Sequence, residues 1–372
     1  MQTNDEMILE YVQTRNLKPR THYQLKTILN DYSKFHGLSL YKLIQEAELD
    51  EDNKIRWKHR QLKQRLSSYM LNINKRMQLS SSKMYLNKIK SFYYFHEIEI
   101  HQLPRLNPRN SILADPITYQ DLPNRDVIKS AVEISEPLIR AIILHITSSG
   151  MSRVDTLNLT VGDFICSVVD YTNTENLSKM LVELHGQDVV PTWTNRREKT
   201  NKYFITFTSP EATSELINYL QIRNRRTPLQ PNDKLFKITP DWLTRKFQHL
   251  NSNLGLGKVG NYNRFRTHNL RKYHASNLKK FGMSEFDINT MQGKSNGAVN
   301  DVYFFEDAQA LKQKYLQAIE GVLIFTDVNN LNIYSKEFHD LQKQNELLLG
   351  KLDEFNDLKK DIEEIRKWYV MD

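Results

Sequence analysis

Cysteine is nearly absent from this chain of 372 residues, Cys166 being the only one. An internal disulfide and a cysteine-rich zinc module are therefore both excluded. No apolar run approaches the roughly 20 residues that a membrane-spanning helix needs. The opening residues Met1 to Glu6 have neither the basic nor the apolar region of a secretion signal, so a cytoplasmic protein is expected. No G-x-x-x-x-G-K-[ST] loop and no H-E-x-x-H occur, which removes support for an ATPase or a zinc protease. Acids are missing in a more telling way. Lys54 to Lys90 holds eleven Lys or Arg and no Asp or Glu, and Trp242 to Ser284 holds nine with none. The formal net charge is +8, and the tail from Lys336 has seven basic and ten acidic residues, so the excess lies in the body. Two long acid-free basic stretches suit a phosphate backbone, where each neutralised phosphate releases counterions. A merely solvated lysine-rich face is the plainer alternative.

With 39% hydrophobic and 26% charged residues, the chain can build real cores over two domains and an appendage. Residues 1–105 read as a small helical domain. A capping box is expected at Thr21 to Gln24, ahead of Leu25, Ile28, Leu29 and Tyr32 at helical spacing. Leu62, Leu66, Tyr69 and Met70 repeat the pattern, as do Tyr85, Ile89, Phe92 and Tyr93. That period makes these aromatics core residues and leaves Arg56, Arg60, Lys63, Lys83, Lys88 and Lys90 as candidates for DNA. Pro104, Pro108, Pro116 and Pro123 remove backbone donors and restrict their predecessors, so residues 106–117 read as a linker. Residues 118–325 form the second domain. Ile139, Ile142, Ile143 and Ile146 mark a buried helix ending near Gly150. Ile165 to Val169 and Met180 to Leu184 read as short strands, and Tyr203 to Phe207 alternates like a half-buried one. Helices resume around Leu216, Leu243 and Thr267. The expected class is mostly α with a small antiparallel β-sheet. At 334–372, apolar residues recur every seven positions from Tyr334 to Tyr369. This predicts a coiled-coil-like helix of about five heptads, or an amphipathic helix lying back on the body.

The chemistry concentrates near residue 270. His268 and Arg271 are three apart and so share one helical face. Gln292-Gly293-Lys294 follows, with Gly293 expected to end its helix, and Tyr303 stands nine residues beyond Lys294. Upstream, Gly150-Met151-Ser152-Arg153 precedes Leu157, Leu159 and Asp163. Between the two, Glu198-Lys199-Thr200-Asn201-Lys202 leads into the alternating strand.

This ordered set resembles the tyrosine recombinases, the phage-integrase-like DNA strand exchangers. The resemblance covers residues 120–320 and extends to the N-terminal domain only in general architecture. It implies that Tyr303 is a nucleophile, that Arg153 and Arg271 bind the cleaved phosphate, and that His268 and Lys294 support it. The hairpin lysine would be Lys199, with Lys202 in reserve. The implied fold is a two-domain C-shaped clamp on double-stranded DNA, and the implied assembly is a homo-tetramer on attachment sites. The reaction needs no metal, nucleotide or other cofactor. Two departures stand out. Arg153 lies three residues after its glycine where many members have two, a form that resembles archaeal members and suggests a mobile element. Lys294 stands where most relatives carry histidine. A type IB topoisomerase, which uses a very similar set, and a non-catalytic DNA-binding protein with this fold are the alternatives.

Overall fold

The computed structural model describes residues 2–113, 118–172, 174–297, 307–327 and 331, with the isolated positions 348, 351 and 359. The heptads at 334–372 lie otherwise outside the described residues, as does Tyr303. The chain divides into two compact units, Met1–Pro116 and Ile117–Asp372. No described helix is long and apolar enough to cross a membrane.

The first unit is helical: α1 (Asn4–Thr14), α2 (Pro19–His36), α3 (Leu40–Asp52), α4 (Gln61–Arg76) and α5 (Leu79–Phe95). The apolar stripes read from the sequence meet in one core, with Leu25, Ile28, Leu29, Tyr32, Leu66, Tyr69, Ile89, Phe92 and Tyr93 all at most 1% exposed. The expected capping box at Thr21 is not there. The helix begins two residues earlier, at Pro19, whose ring fixes φ and whose missing N–H would have had no partner. The capping box of this unit is at Thr3 and Glu6. Helix α4 is capped from outside, Asp50 of α3 accepting from the Gln61 backbone N–H at 2.6 Å.

Space also edits the acid-free stretch at Lys54 to Lys90. Arg65 forms a two-pronged pair with Glu46, Arg60 pairs with Glu51, and Arg76 pairs with Asp31. Arg60 is thus engaged within the fold, while Arg56 and Lys83 remain on the surface.

In the second unit, α6 (Arg125–Glu133), α7 (Pro137–Ser149), α8 (Arg153–Asn158), α9 (Val161–Ser167) and α10 (Leu177–Glu183) lead to the hairpin β1 (Thr192–Arg196) and β2 (Tyr203–Phe207). There follow α11 (Pro210–Arg226), α12 (Pro240–Asn253), the short strands β3 (Lys258–Val259) and β4 (Tyr262–Asn263), α13 (Thr267–Lys280) and α14 (Glu285–Met291). The final described helix, α15, is Ala308–Gln317. The fold is mostly helical, as expected, with two small antiparallel sheets among the described residues.

Helix α7 is the hub. Ten of its thirteen residues are buried, and it packs against both α11 and α13. Its last turn is polar yet buried, which is tolerable because Thr147, Ser148 and Ser149 donate back to the carbonyls of Ile143, Leu144 and His145.

The strands expected at Ile165 to Val169 and Met180 to Leu184 are instead helical: the first lies in α9 and the 3-10 turn Val169–Tyr171, the second in α10. A mainly apolar segment of five residues, each here with one polar member (Ser167 or Glu183), does not distinguish a strand from a buried helical turn. The decision came from the caps. Thr160 and Asp163 form a capping box ahead of the first segment, and the Asn176 side chain accepts from the Lys179 N–H ahead of the second. The strand at Tyr203 to Phe207 is present, paired with Thr192 to Arg196 in register from Thr192 opposite Phe207 to Arg196 opposite Tyr203.

Candidate active site

Three chain segments converge at the end of α7. That helix stops because Gly150 takes the left-handed conformation, φ +64°. Its carbonyl then points away from the helix and accepts from Arg271 Nη1 at 2.6 Å. Arg271 lies on α13, only 6% exposed, and its Nη2 donates to the Gln292 carbonyl at 2.6 Å. Gln292 returns the contact: its side-chain amide donates to the Arg271 carbonyl at 3.0 Å and meets His274 Nδ1 at 3.1 Å. The guanidinium is therefore held in one orientation. Burial pushes its pKa down to about 10, the nearby Arg197 pushes the same way, and Asp155 opposes them. It stays fully charged at neutral pH.

The second segment is the end of α14. Gly293, φ +60°, and Lys294 close it with paired bonds, Gly293 N–H to Thr290 carbonyl at 2.8 Å and Lys294 N–H to Asn289 carbonyl at 2.8 Å. This is the double bond pattern by which a left-handed glycine terminates a helix, so the expected role of Gly293 is met. The third segment is the β1–β2 loop. Arg197 Nη1 donates to the Gly293 carbonyl at 2.8 Å, and Lys202 Nζ lies 3.4 Å from the Lys294 carbonyl. Three successive carbonyls, of residues 292, 293 and 294, thus each receive a different cation. A helix C-terminus carries partial negative charge, which favours this arrangement. The loop is anchored at its base, where buried Asp155 accepts from the Glu198 N–H at 3.0 Å and from the Ser152 hydroxyl at 2.7 Å.

His268 sits one turn before Arg271 with its ring exposed to solvent. Its surroundings nonetheless hold its pKa below the usual value: partial desolvation first, then the charges of Arg266, Lys272, Arg271 and Lys294. Lys294 is half-buried, and its pKa is likewise pushed down by desolvation and by Arg271 and Arg197. His268, Arg271 and Lys294 line one cavity of about 300 Å³ with Lys272, Gln292 and Tyr119. The site is a strongly cationic depression beside a fixed helix end, suited to an anion.

The remaining sequence candidates are placed differently. Lys199 is exposed in the hairpin loop, while Lys202 is half-buried. Arg153 is the first residue of α8, and its Nη1 donates to Thr244 Oγ1 on α12 at 2.6 Å. It lines a neighbouring cavity of about 490 Å³ with Lys258, Tyr262, Arg266 and His268. Tyr303 lies outside the described residues. Sequence reasoning missed Arg197, Asp155 and Gln292. The only available signals were the position of Gln292 beside a helix-ending glycine and of Arg197 two residues before Lys199.

No family model matches the chain, and no curated protein matches it by sequence. Solved structures do. XerA recombinase is 18% identical, with 84% of this chain and 97% of that one covered and a TM-score of 0.35. XerH site-specific recombinase, in a post-cleavage complex with a palindromic difH substrate, is 16% identical over 83% and 95%, with a TM-score of 0.48. A lambda integrase dimer bound to a COC′ core site is 12% identical over 81% and 78%, with a TM-score of 0.49.

Proposed function

We propose that this protein is a tyrosine-type site-specific DNA recombinase, an integrase that cuts and rejoins DNA through a covalent phosphotyrosyl bond. One observation carries the reading: Arg271, His268 and Lys294 line a single cavity at the end of α14, nine residues before Tyr303 in the chain. Rejoining DNA without an energy source requires that the phosphodiester energy be kept in a bond to the protein. The Tyr303 phenol gives up its proton to solvent water and its oxygen forms a bond to phosphorus. The bond from phosphorus to the 5′-oxygen breaks, and that oxygen takes a proton from a loop lysine, Lys199 or Lys202. A 5′-hydroxyl of a second duplex reverses these steps and frees the tyrosine.

The crowded phosphorane carries extra negative charge on its non-bridging oxygens. Catalysis is then chiefly placement and charge stabilisation. Arg271 meets this need because it is immobilised and fully charged, and Arg153 is the second arginine that the motif suggests. His268 and Lys294 donate to the same oxygens. The partner is duplex DNA, whose phosphates suit the surface lysines of both acid-free stretches, and four copies act on two duplexes. DNA from either side of the encoding gene provides the test, since an integrase acts at the ends of its own element. Covalent protein–DNA adducts are trapped there and their positions mapped, and Tyr303→Phe should abolish them. Adducts that persist in Tyr303→Phe would refute the assignment.

A further inference from the structure

Two arginines are candidates to stand beside Arg271, and the structure separates them. Arg153 follows its glycine by three residues. Ser152 occupies the position two after Gly150 and serves as the N-cap of α8, its hydroxyl committed to Asp155. Arg153 opens the helix beyond this extended cap and points to α12, where it donates to Thr244, in the cavity that also holds Lys258, Arg266 and, at its edge towards Arg271, His268.

Arg197 reaches the opposite side. Its Nη1 bonds to the Gly293 carbonyl, the neighbour of the Gln292 carbonyl that holds Arg271. Its stem lies against Gly293 so closely that a Cβ at that glycine would stand 3.2 Å from Arg197 Cδ. Two guanidinium groups are thus fixed side by side on consecutive carbonyls of one turn. Among the described residues Arg197 makes one side-chain hydrogen bond, leaving most of its five N–H groups for another acceptor. Asp155 offsets part of the repulsion between these like charges, and a phosphodiester, which accepts from two such forks at once, would offset the rest.

We infer that Arg197, with Arg271, grips the phosphate that is cut, and that Arg153 stands outside this pair. The inference rests on the recombinase reading above. It moves the upstream arginine from a helix start to a β-hairpin loop, where it travels with the hairpin lysines. The loop then delivers phosphate-binding and proton-donating groups together, and Asp155 at its base is a positioning residue for both.

The test uses the full-length protein and a nicked duplex bearing the mapped cleavage sequence, with either a phosphate or a neutral methylphosphonate at the cut position. On phosphate, Arg197→Ala should lower single-turnover cleavage at saturating DNA by about 100-fold or more, in the range lost when one donor to a developing charge is removed. On methylphosphonate, which has one charge fewer to balance, the defect should shrink to about tenfold or less on the same reasoning. Arg153→Ala should show the smaller defect on phosphate and no such rescue. Arg197→Gln, which keeps a donor for the Gly293 carbonyl, should behave like Arg197→Ala while retaining the wild-type melting temperature. Arg196→Ala, at an exposed neighbour stacked over the Tyr203 ring, should cleave nearly as the wild type does. A larger, methylphosphonate-rescued defect in Arg153→Ala would overturn the inference, as would an Arg197 defect equal on both substrates. Absence of any adduct with the wild-type protein would instead overturn the recombinase reading itself.

Discussion

Gly150→Ala isolates the join on which the site depends. A Cβ at this residue would lie 2.5 Å from His274 Nδ1, 2.6 Å from Cε1 and 2.9 Å from Cγ. The ring cannot easily retreat, because His274 is fully buried and Gln292 holds its Nδ1. Two costs add. A non-glycine residue in the left-handed region costs about 1–2 kcal/mol, and forcing a carbon into a packed core costs about 1–3 kcal/mol. The expected destabilisation is therefore about 2–5 kcal/mol from these principles. Gly257 supplies the control. It has φ +68°, but a methyl group there would meet nothing within 4 Å, so Gly257→Ala should show only the first cost. The assay is urea unfolding followed by emission of buried Trp193, with the other tryptophans replaced by phenylalanine. Adding His274→Ala to Gly150→Ala should recover the packing part but not the backbone part, a coupling of about 1–3 kcal/mol. If Gly150→Ala costs no more than Gly257→Ala, the close approach of α13 to the end of α7 is wrong.

Three further outcomes are expected. His145 and His274 are fully buried, and desolvation pushes both to about 3. The unfolded chain takes up these protons below about pH 6.5 while the folded chain does not. Stability is thus present above 6.5 and lost on acidification, by roughly 2–3 kcal/mol between pH 7 and 5.5 for the two together. Urea midpoints that hold steady over that range would contradict this. Lys294→His should make cleavage more dependent on pH between about 6 and 8 than it is in the parent, since it adds a second titrating histidine to the cavity that already holds His268. An identical profile would count against a phosphate contact at this position. Finally, Glu211 accepts from the backbone N–H groups of Ile324, Phe325 and Thr326, and Arg125 donates to the carbonyls of Ile324 and Thr326. Glu211→Gln leaves a donor facing donors, a loss of about 1–3 kcal/mol, and should speed limited proteolysis near residue 325. Cleavage at the wild-type rate would remove this clamp from the account.

Much of the architecture follows from local rules. The stripes at Leu25 to Tyr32 and Ile139 to Ile146 give buried helical faces, because a period of 3.6 is a property of the chain alone. The three-residue spacing of His268 and Arg271 places both on one face, and Gly293 ends its helix by its freedom at positive φ. What failed was either too short to have a period or depended on a distant partner. The short, mainly apolar segments at 165–169 and 180–184 became helical because Thr160 and Asn176 capped them. The run from Lys54 to Lys90 has no acid along the chain, yet Glu46, Glu51 and Asp31 reach it across the helices. Charge balance is a property of neighbours in space. The same holds for the site. Arg153 carries the motif in sequence, but it bonds to Thr244 on α12, and Arg197, unremarkable in sequence, is brought to the carbonyl next to the one that holds Arg271 by the pairing of β1 with β2. The sequence by itself determined which residue types are present and in what order. Only tertiary packing decided which cations share the end of α14, because contacts between segments far apart in the chain leave no periodic trace in it.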